Sequence, residues 1–148
     1  MSTPSAASLF GNKPAYSGLS VKGLANSPDS LVLIPVPALV AAATLSSAQT
    51  LGKMIVYTPT EAVAATTPTA AALIAALGGA RKGMSFDLHI RNASAGAFAV
   101  TLTAGTGVTV SGTATVTQNN AKTFRFVVVN PAAGSEAITA YSLGTAVF

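Results

Sequence analysis

The sequence predicts a mainly β protein: an antiparallel β-sandwich or jelly-roll-like domain over residues 31–148, carrying one short helix and preceded by an extended N-terminal arm over residues 1–30. Three observations predict it. From Met84 onward, apolar and polar residues alternate with the period of a strand covered on one face. Turn-forming residues interrupt that alternation at roughly 8 to 12 residue intervals, as in sandwiches and barrels. Half of the 148 residues are hydrophobic while only 8% are charged, against roughly 25% in an average soluble domain, so little of the surface is marked as free and wet.

The elements follow in order. Residues 1–30 hold Pro4, Pro14 and Pro28, Gly11, Gly18 and Gly23, and scattered small polar residues, a composition that suits an arm better than a core. Leu9, Phe10, Tyr16, Leu19, Val21 and Leu24 are its apolar anchors, set to lie along a partner or neighbouring subunit, or else to fold back on their own domain. Leu31–Val36 reads as a strand that ends at Pro35-Val36-Pro37, since proline cannot donate to a ladder. Ala38–Leu45 fits strand and helix equally, and Lys53–Thr58 is a clearer strand. In TTPTAAALIAALGG, Thr67 can cap a helix, Pro68 is tolerated in its first turn and Gly78 can end it in a left-handed conformation. Ala70, Leu73, Ile74 and Leu77 then share one face, which fits a helix covering one end of a sheet better than a membrane-active one.

In MSFDLHIRN, Met84, Phe86, Leu88 and Ile90 face inward while Ser85, Asp87, His89 and Arg91 face out. Phe98, Val100 and Leu102 repeat the pattern after a turn at 92–96. A turn at 104–107 leads to Val108 and Val110, followed by a strand over 114–117, a turn at Gln118-Asn119-Asn120 and the strongly β-prone TFRFVVVN. A last strand covers Ala137–Leu143.

Several function classes are set aside by composition. The net charge of +4 comes from eight basic residues of which only Arg81 and Lys82 are adjacent, and Trp is lacking; nucleic-acid binding calls for clustered basic residues with aromatics. Without cysteine there is neither disulfide nor thiolate chemistry. MSTPSAASLFGNKPAYSG has no positive segment ahead of an apolar one, so no signal peptide is expected. The longest apolar run, residues 31–43, is shorter than the ~20 residues of a membrane helix and broken by prolines. An apolar, charge-poor surface favours an obligate oligomer or assembly component, although abundant Ala, Gly, Ser and Thr also dilute charge passively.

Strong catalytic or metal signatures are missing. His89 is the single histidine, and Asp29, Glu61, Asp87 and Glu136 are far apart in sequence, which suits neither a metal site nor a carboxylate pair. AGTGVTVSG lacks the lysine of a phosphate loop and precedes a strand. The one constellation is Ser85, Asp87, His89 and Arg91, on one face of one strand about 6.5 to 7 Å apart in succession. As a hydrolase it would use His89 as base, oriented by Asp87, but neighbours along a strand converge poorly on one reacting atom. The better reading is a polar stripe, either solvated or part of a subunit interface in which Asp87, His89 and Arg91 take part and Asp87 pairs with Arg91 across it. Asn92-Ala93-Ser94 matches a glycosylation acceptor, discounted in the absence of a signal peptide.

Four blocks, Gly83–Asn92, Val100–Gly112, Phe124–Asn130 and Ile138–Leu143, with the helix before them, resemble a β-sandwich module of tailed-bacteriophage virion proteins. Its pattern is a G-x-S-F-x-(F/L)-x-I-x-N strand, a (V/T)-T-L-x-A-G-x-G-V-T-x-x-G hairpin, an aromatic-valine strand and a closing (I/V)-T-x-Y-x-L. The resemblance covers about half the chain, and its motifs are structural. It implies a structural protein of the virion exterior, made in the host cytoplasm, typically a homotrimer, with no catalytic role and no cofactor. Within that group, a capsid decoration (cement) protein binding the major capsid protein through its arm fits a chain without a fibrous shaft. A head-fibre or tail-fibre receptor-binding knob is the alternative, followed by a minor tail component or a small carbohydrate-binding or enzymatic domain.

Overall fold

The computed structural model describes residues 36–147. The arm expected at 1–30, with its six anchors, and nearly all of the strand expected at 31–36 lie outside the described residues. The described chain runs β1 (Ala38–Leu39), β2 (Ala43–Thr44), α1 (Ser47–Leu51), β3 (Met54–Tyr57), β4 (Val63–Thr66), α2 (Ala70–Leu77), β5 (Ser85–Asn92), β6 (Val100–Thr103), β7 (Val108–Ser111), β8 (Thr115–Val116), β9 (Asn120–Asn130) and β10 (Ala137–Val147). Two sheets result: sheet A, ordered β1-β3-β5-β9-β10-β7, and sheet B, ordered β2-β4-β6-β8.

From β1 to β9 every strand lies in the sheet opposite its predecessor. Each connection carries the chain across to the other sheet. As far as β6, the chain two strands later is back in its first sheet and runs in its first direction; after β6 the direction reverses, β8 running against β6 and β9 against β5. Hence β1, β3 and β5 are parallel neighbours, and so are β2, β4 and β6. Antiparallel pairing is confined to β5–β9, β9–β10 and β6–β8. The expectation of an antiparallel architecture is therefore corrected: the protein is mainly β, but both sheets are mixed.

The same alternation corrects the hairpin expected over Val100–Gly112. β6 belongs to sheet B and β7 to sheet A, so the turn between them is an arch from one sheet to the other. Gly105 makes the arch possible: a Cβ there would lie 2.4 Å from the Thr67 carbonyl oxygen and 2.7 Å from that of Pro68. Its N–H donates to Thr67 Oγ1 at 2.8 Å.

That bond also relocates the helix cap. Thr67 is buried and engaged by Gly105, and Thr69 is the N-cap of α2, its hydroxyl accepting from Ala72 N at 3.1 Å. Pro68 thus precedes the cap. Gly78 ends the helix in the left-handed conformation, φ 58°, where a residue without Cβ carries no penalty. A second helix, α1, joins the single one expected. Ser46 and Gln49 form its capping box, Gln49 N donating to Ser46 Oγ and Ser46 N to Gln49 Oε1; S-x-x-Q is a recognised start signal.

The inner faces of both sheets share one hydrophobic cluster. Ile55, Tyr57, Leu88, Ile90, Phe124, Phe126 and Ile138 enter it from sheet A, Val63, Ala65, Val100, Leu102 and Val116 from sheet B, and Ala70 and Leu73 from α2. The alternation from Met84 holds for Leu88 and Ile90, while Met84 itself, ahead of β5, is exposed. Phe86 and Phe126, partners in the β5–β9 register, stack with centroids 4.9 Å apart. Each large side chain so buried is worth roughly 1.5–3 kcal/mol of transfer free energy. The opposite face of sheet A, built by the same alternation, holds the candidate site.

Candidate functional site

Because β5 buries Leu88 and Ile90, it turns Ser85, Asp87, His89 and Arg91 outward along the middle of sheet A. The β5–β9 register sets Val127, Arg125, Thr123 and Ala121 beside them, one opposite each. β10 continues the outer face with Thr139 and Tyr141, β7 with Thr109 and Ser111, and β3 with Met54 and Val56. The result is a face of small polar and apolar residues that carries a charged stripe. Val129, Tyr141 and Leu143 are 43%, 44% and 52% exposed, adding large apolar side chains to the surface of β9 and β10.

Arg125 clamps Asp87 in two parallel hydrogen bonds, Nε to Oδ1 and Nη2 to Oδ2, each 2.8 Å. Those bonds hold the Asp87 carboxyl below the usual carboxylate range and raise the Arg125 guanidinium. Within the chain the partner of Asp87 is thus Arg125, a residue that sequence reasoning misses. His89 Nδ1 shares a 2.8 Å hydrogen bond with Thr123 Oγ1. The set Ser85, Asp87, His89 therefore has its carboxylate turned to arginine and its imidazole to threonine, which does not build the relay a serine nucleophile needs. Shallow clefts flank His89: one of about 440 Å³ bordered by Ala121, Thr123 and residues 143–146, and one of about 370 Å³ bordered by Lys53, Ser85, Phe86 and Asp87.

Beneath this face lie two buried polar groups. Asn92, at the end of β5, is fully buried and spends its whole amide internally: Nδ2 donates to the carbonyls of Phe98 at 2.8 Å and Val116 at 2.9 Å, and Oδ1 accepts from Ser94 N at 3.1 Å. Asn92 ties β5 to β8 and the loop between β5 and β6, and so is inaccessible as a glycosylation acceptor. Lys122, 5% exposed, points inward from β9 and donates Nζ to the Thr113 carbonyl at 2.9 Å. Burial lowers its pKa from the ordinary lysine value. The sequence reading passed over Lys122 although the signal was present: it shares its parity with Phe124, Phe126 and Val128, the inward set of β9.

At one end of the fold, Ala97, Phe98, Ala99, Thr117 and Gln118 border a cleft of about 300 Å³. Among the described residues no group of three or more His, Cys, Asp or Glu could hold a metal ion, and no helix is long and apolar enough to cross a membrane. What the outer face of sheet A can do chemically is present a preformed sheet surface, on which Asp87 and Arg125 form a fixed ion pair, to another surface. Compared with protein-family models, with curated proteins and with solved structures, the chain gives no match.

Proposed function

We propose that this chain is a bacteriophage capsid decoration (cement) protein. In this reading a homotrimer of β-sandwich, jelly-roll-like domains sits on the virion exterior, and residues 1–30 bind the major capsid protein through Leu9, Phe10, Tyr16, Leu19, Val21 and Leu24. The observation that supports it most is how the virion-like motifs map onto the fold. Gly83–Asn92 contains β5, Val100–Gly112 contains β6 and β7, Phe124–Asn130 lies in β9 and Ile138–Leu143 in β10, so each block that carries the resemblance is a structural element of one core. The outer face of sheet A adds a rigid surface suited to fitting against neighbours, with Asp87, His89 and Arg91 at its centre. A protein that binds only the assembled shell stabilises it by mass action, by about 2.7 kcal/mol per site at a hundredfold excess over the dissociation constant.

Deleting residues 1–30 tests this reading. The truncated chain is expected to remain a folded oligomer and to lose binding to assembled heads; undiminished occupancy of the heads by the truncated chain overturns it. A copy number of hundreds per particle is expected for decoration.

A second reading, a head-fibre or tail-fibre receptor-binding knob, is favoured by the cleft at Phe98 and Gln118, where an aromatic face and an amide could receive a sugar. Glycan binding that is abolished by Phe98→Ala, with a copy number of a handful per particle, would select it.

A further inference from the structure

The edges of the two sheets are protected unequally. Sheet B ends in β2 and β8, two residues each. One edge of sheet A is β1, also two residues, with Pro37 directly before it; short strands and prolines are the usual ways of blunting an edge. At the other edge β7 pairs only with Ile138–Tyr141 of β10. β10 continues to Val147, held on one side by β9 from Ser142 opposite Phe124 to Val147 opposite Asn120. On its other side, no strand among the described residues lies against Leu143–Val147. All five residues are exposed, Leu143 by 52% and Val147 by 81%. The stretch LGTAV carries no charge and no proline; its one irregularity is the bulge at Leu143, between Ser142 and Gly144, at the start of the stretch, so from Gly144 to Val147 the edge is regular and unguarded.

We propose that Leu143–Val147 of β10 pairs with the same stretch of a second copy of this chain, antiparallel about a two-fold axis at Thr145. The stretch is complementary to itself. In that register Leu143 meets Val147 of the other copy at both ends, Gly144 meets Ala146, and Thr145 meets Thr145. Apolar and Thr–Thr cross-strand pairs are stabilising, and like charges placed directly opposite are not; here there are none to oppose. Lys122, opposite Thr145 on β9, is turned inward and buried, so it adds no repulsion across the axis. Pairing satisfies the open backbone groups and covers the most exposed large apolar side chain, Val147. An edge of five residues buries less than a standard interface of about 800 Å² per partner, so the contact belongs to the weak class and is best read by capture. It does not rest on the virion reading, and as a two-fold contact it is distinct from the three-fold association proposed there.

The chain has no cysteine, so Thr145→Cys introduces a single thiol. Opposed Cα atoms in an antiparallel ladder lie about 4.5 to 5.5 Å apart, within disulfide range. The full chain carrying Thr145→Cys is expected to form a disulfide-linked dimer on mild oxidation at least about tenfold faster than Ala48→Cys on the exposed side of α1. In the unmodified chain, the amides of residues 143–147 are expected to exchange more slowly as protein concentration rises, and Thr145→Lys, which opposes two ammonium groups at the axis, is expected to remove that dependence. Equal oxidation rates for the two cysteine variants, or concentration-independent exchange at 143–147, overturn the proposal. So does protection of the edge only when assembled heads are added, which would assign it to a foreign strand.

Discussion

Asp87 on β5 and Arg125 on β9 meet side by side on the outer face of sheet A, carboxylate against guanidinium, with both N–O distances at 2.8 Å. The two residues sit directly opposite each other in the β5–β9 register, one position along from the stacked Phe86 and Phe126. Because the folded state lowers the pKa of Asp87, the pair contributes stability above the ordinary aspartate pKa of about 3.9, and that contribution is lost as pH falls through the folded value. Urea unfolding of the wild type is expected to show a steeper loss of stability below pH 4 than Asp87→Asn. Identical acid limbs for the two proteins would refute it. Both side chains are partly exposed, so salt is expected to shrink the difference.

Lys122 also makes stability rise with pH, but because burial disfavours its charged form. Burial favours its neutral form, so the folded state binds fewer protons than the unfolded chain, and stability rises as pH climbs from the lowered folded pKa toward the ordinary lysine value of about 10.4. Lys122→Met should lose that alkaline rise. At pH 7 it should lie within about 1 kcal/mol of wild type, because the relief of a buried charge offsets the Thr113 carbonyl left without its donor. Chemical denaturation between pH 7 and 10 measures both.

Asn92→Ala is expected to cost at least about 2 kcal/mol, since it leaves the carbonyls of Phe98 and Val116 and the N–H of Ser94 without their partner. Asn92→Asp removes the two donors yet keeps the acceptor, so it should be destabilising as well. A change in midpoint below that expected for an exposed asparagine would show that the amide network is dispensable.

Gly105→Ala is expected to be worse than Gly134→Ala. At Gly105 the added methyl meets two backbone carbonyls within 2.7 Å, whereas Gly134, at φ 81°, has nothing within 4 Å. The Gly134 change should cost about 1 kcal/mol of backbone strain. The Gly105 change must also force the β6–β7 arch apart, so thermal unfolding should place it lower by several degrees. Equal losses would mean that the close approach at the arch has no energetic weight.

Much of this architecture was legible in the chain because strand periodicity is local. The outward set on β5, the β9 and β10 strands, the face of α2 and its Gly78 terminus all follow from side-chain parity, helical spacing and backbone preference. Lys122 was legible too, since its parity with Phe124 placed it inside. α1 was legible in its Ser46–Gln49 capping box, a signal shorter than the helical periods that dominate the reading.

What the sequence by itself determined was the content of each strand and which of its faces is apolar; which strands are neighbours was decided only by the tertiary structure. Period two is the same whether a turn folds a strand back onto its predecessor or arches it into the opposite sheet. Val100–Gly112 therefore reads as a hairpin, yet it arches, because Gly105 fits against the Thr67 and Pro68 carbonyls, residues distant in sequence. Mixed sheets, the pairing of Asp87 with Arg125 within the chain, and the open edge at Leu143–Val147 all follow from that choice of neighbours. Each depends on contacts between residues far apart along the chain, and no local pattern records them.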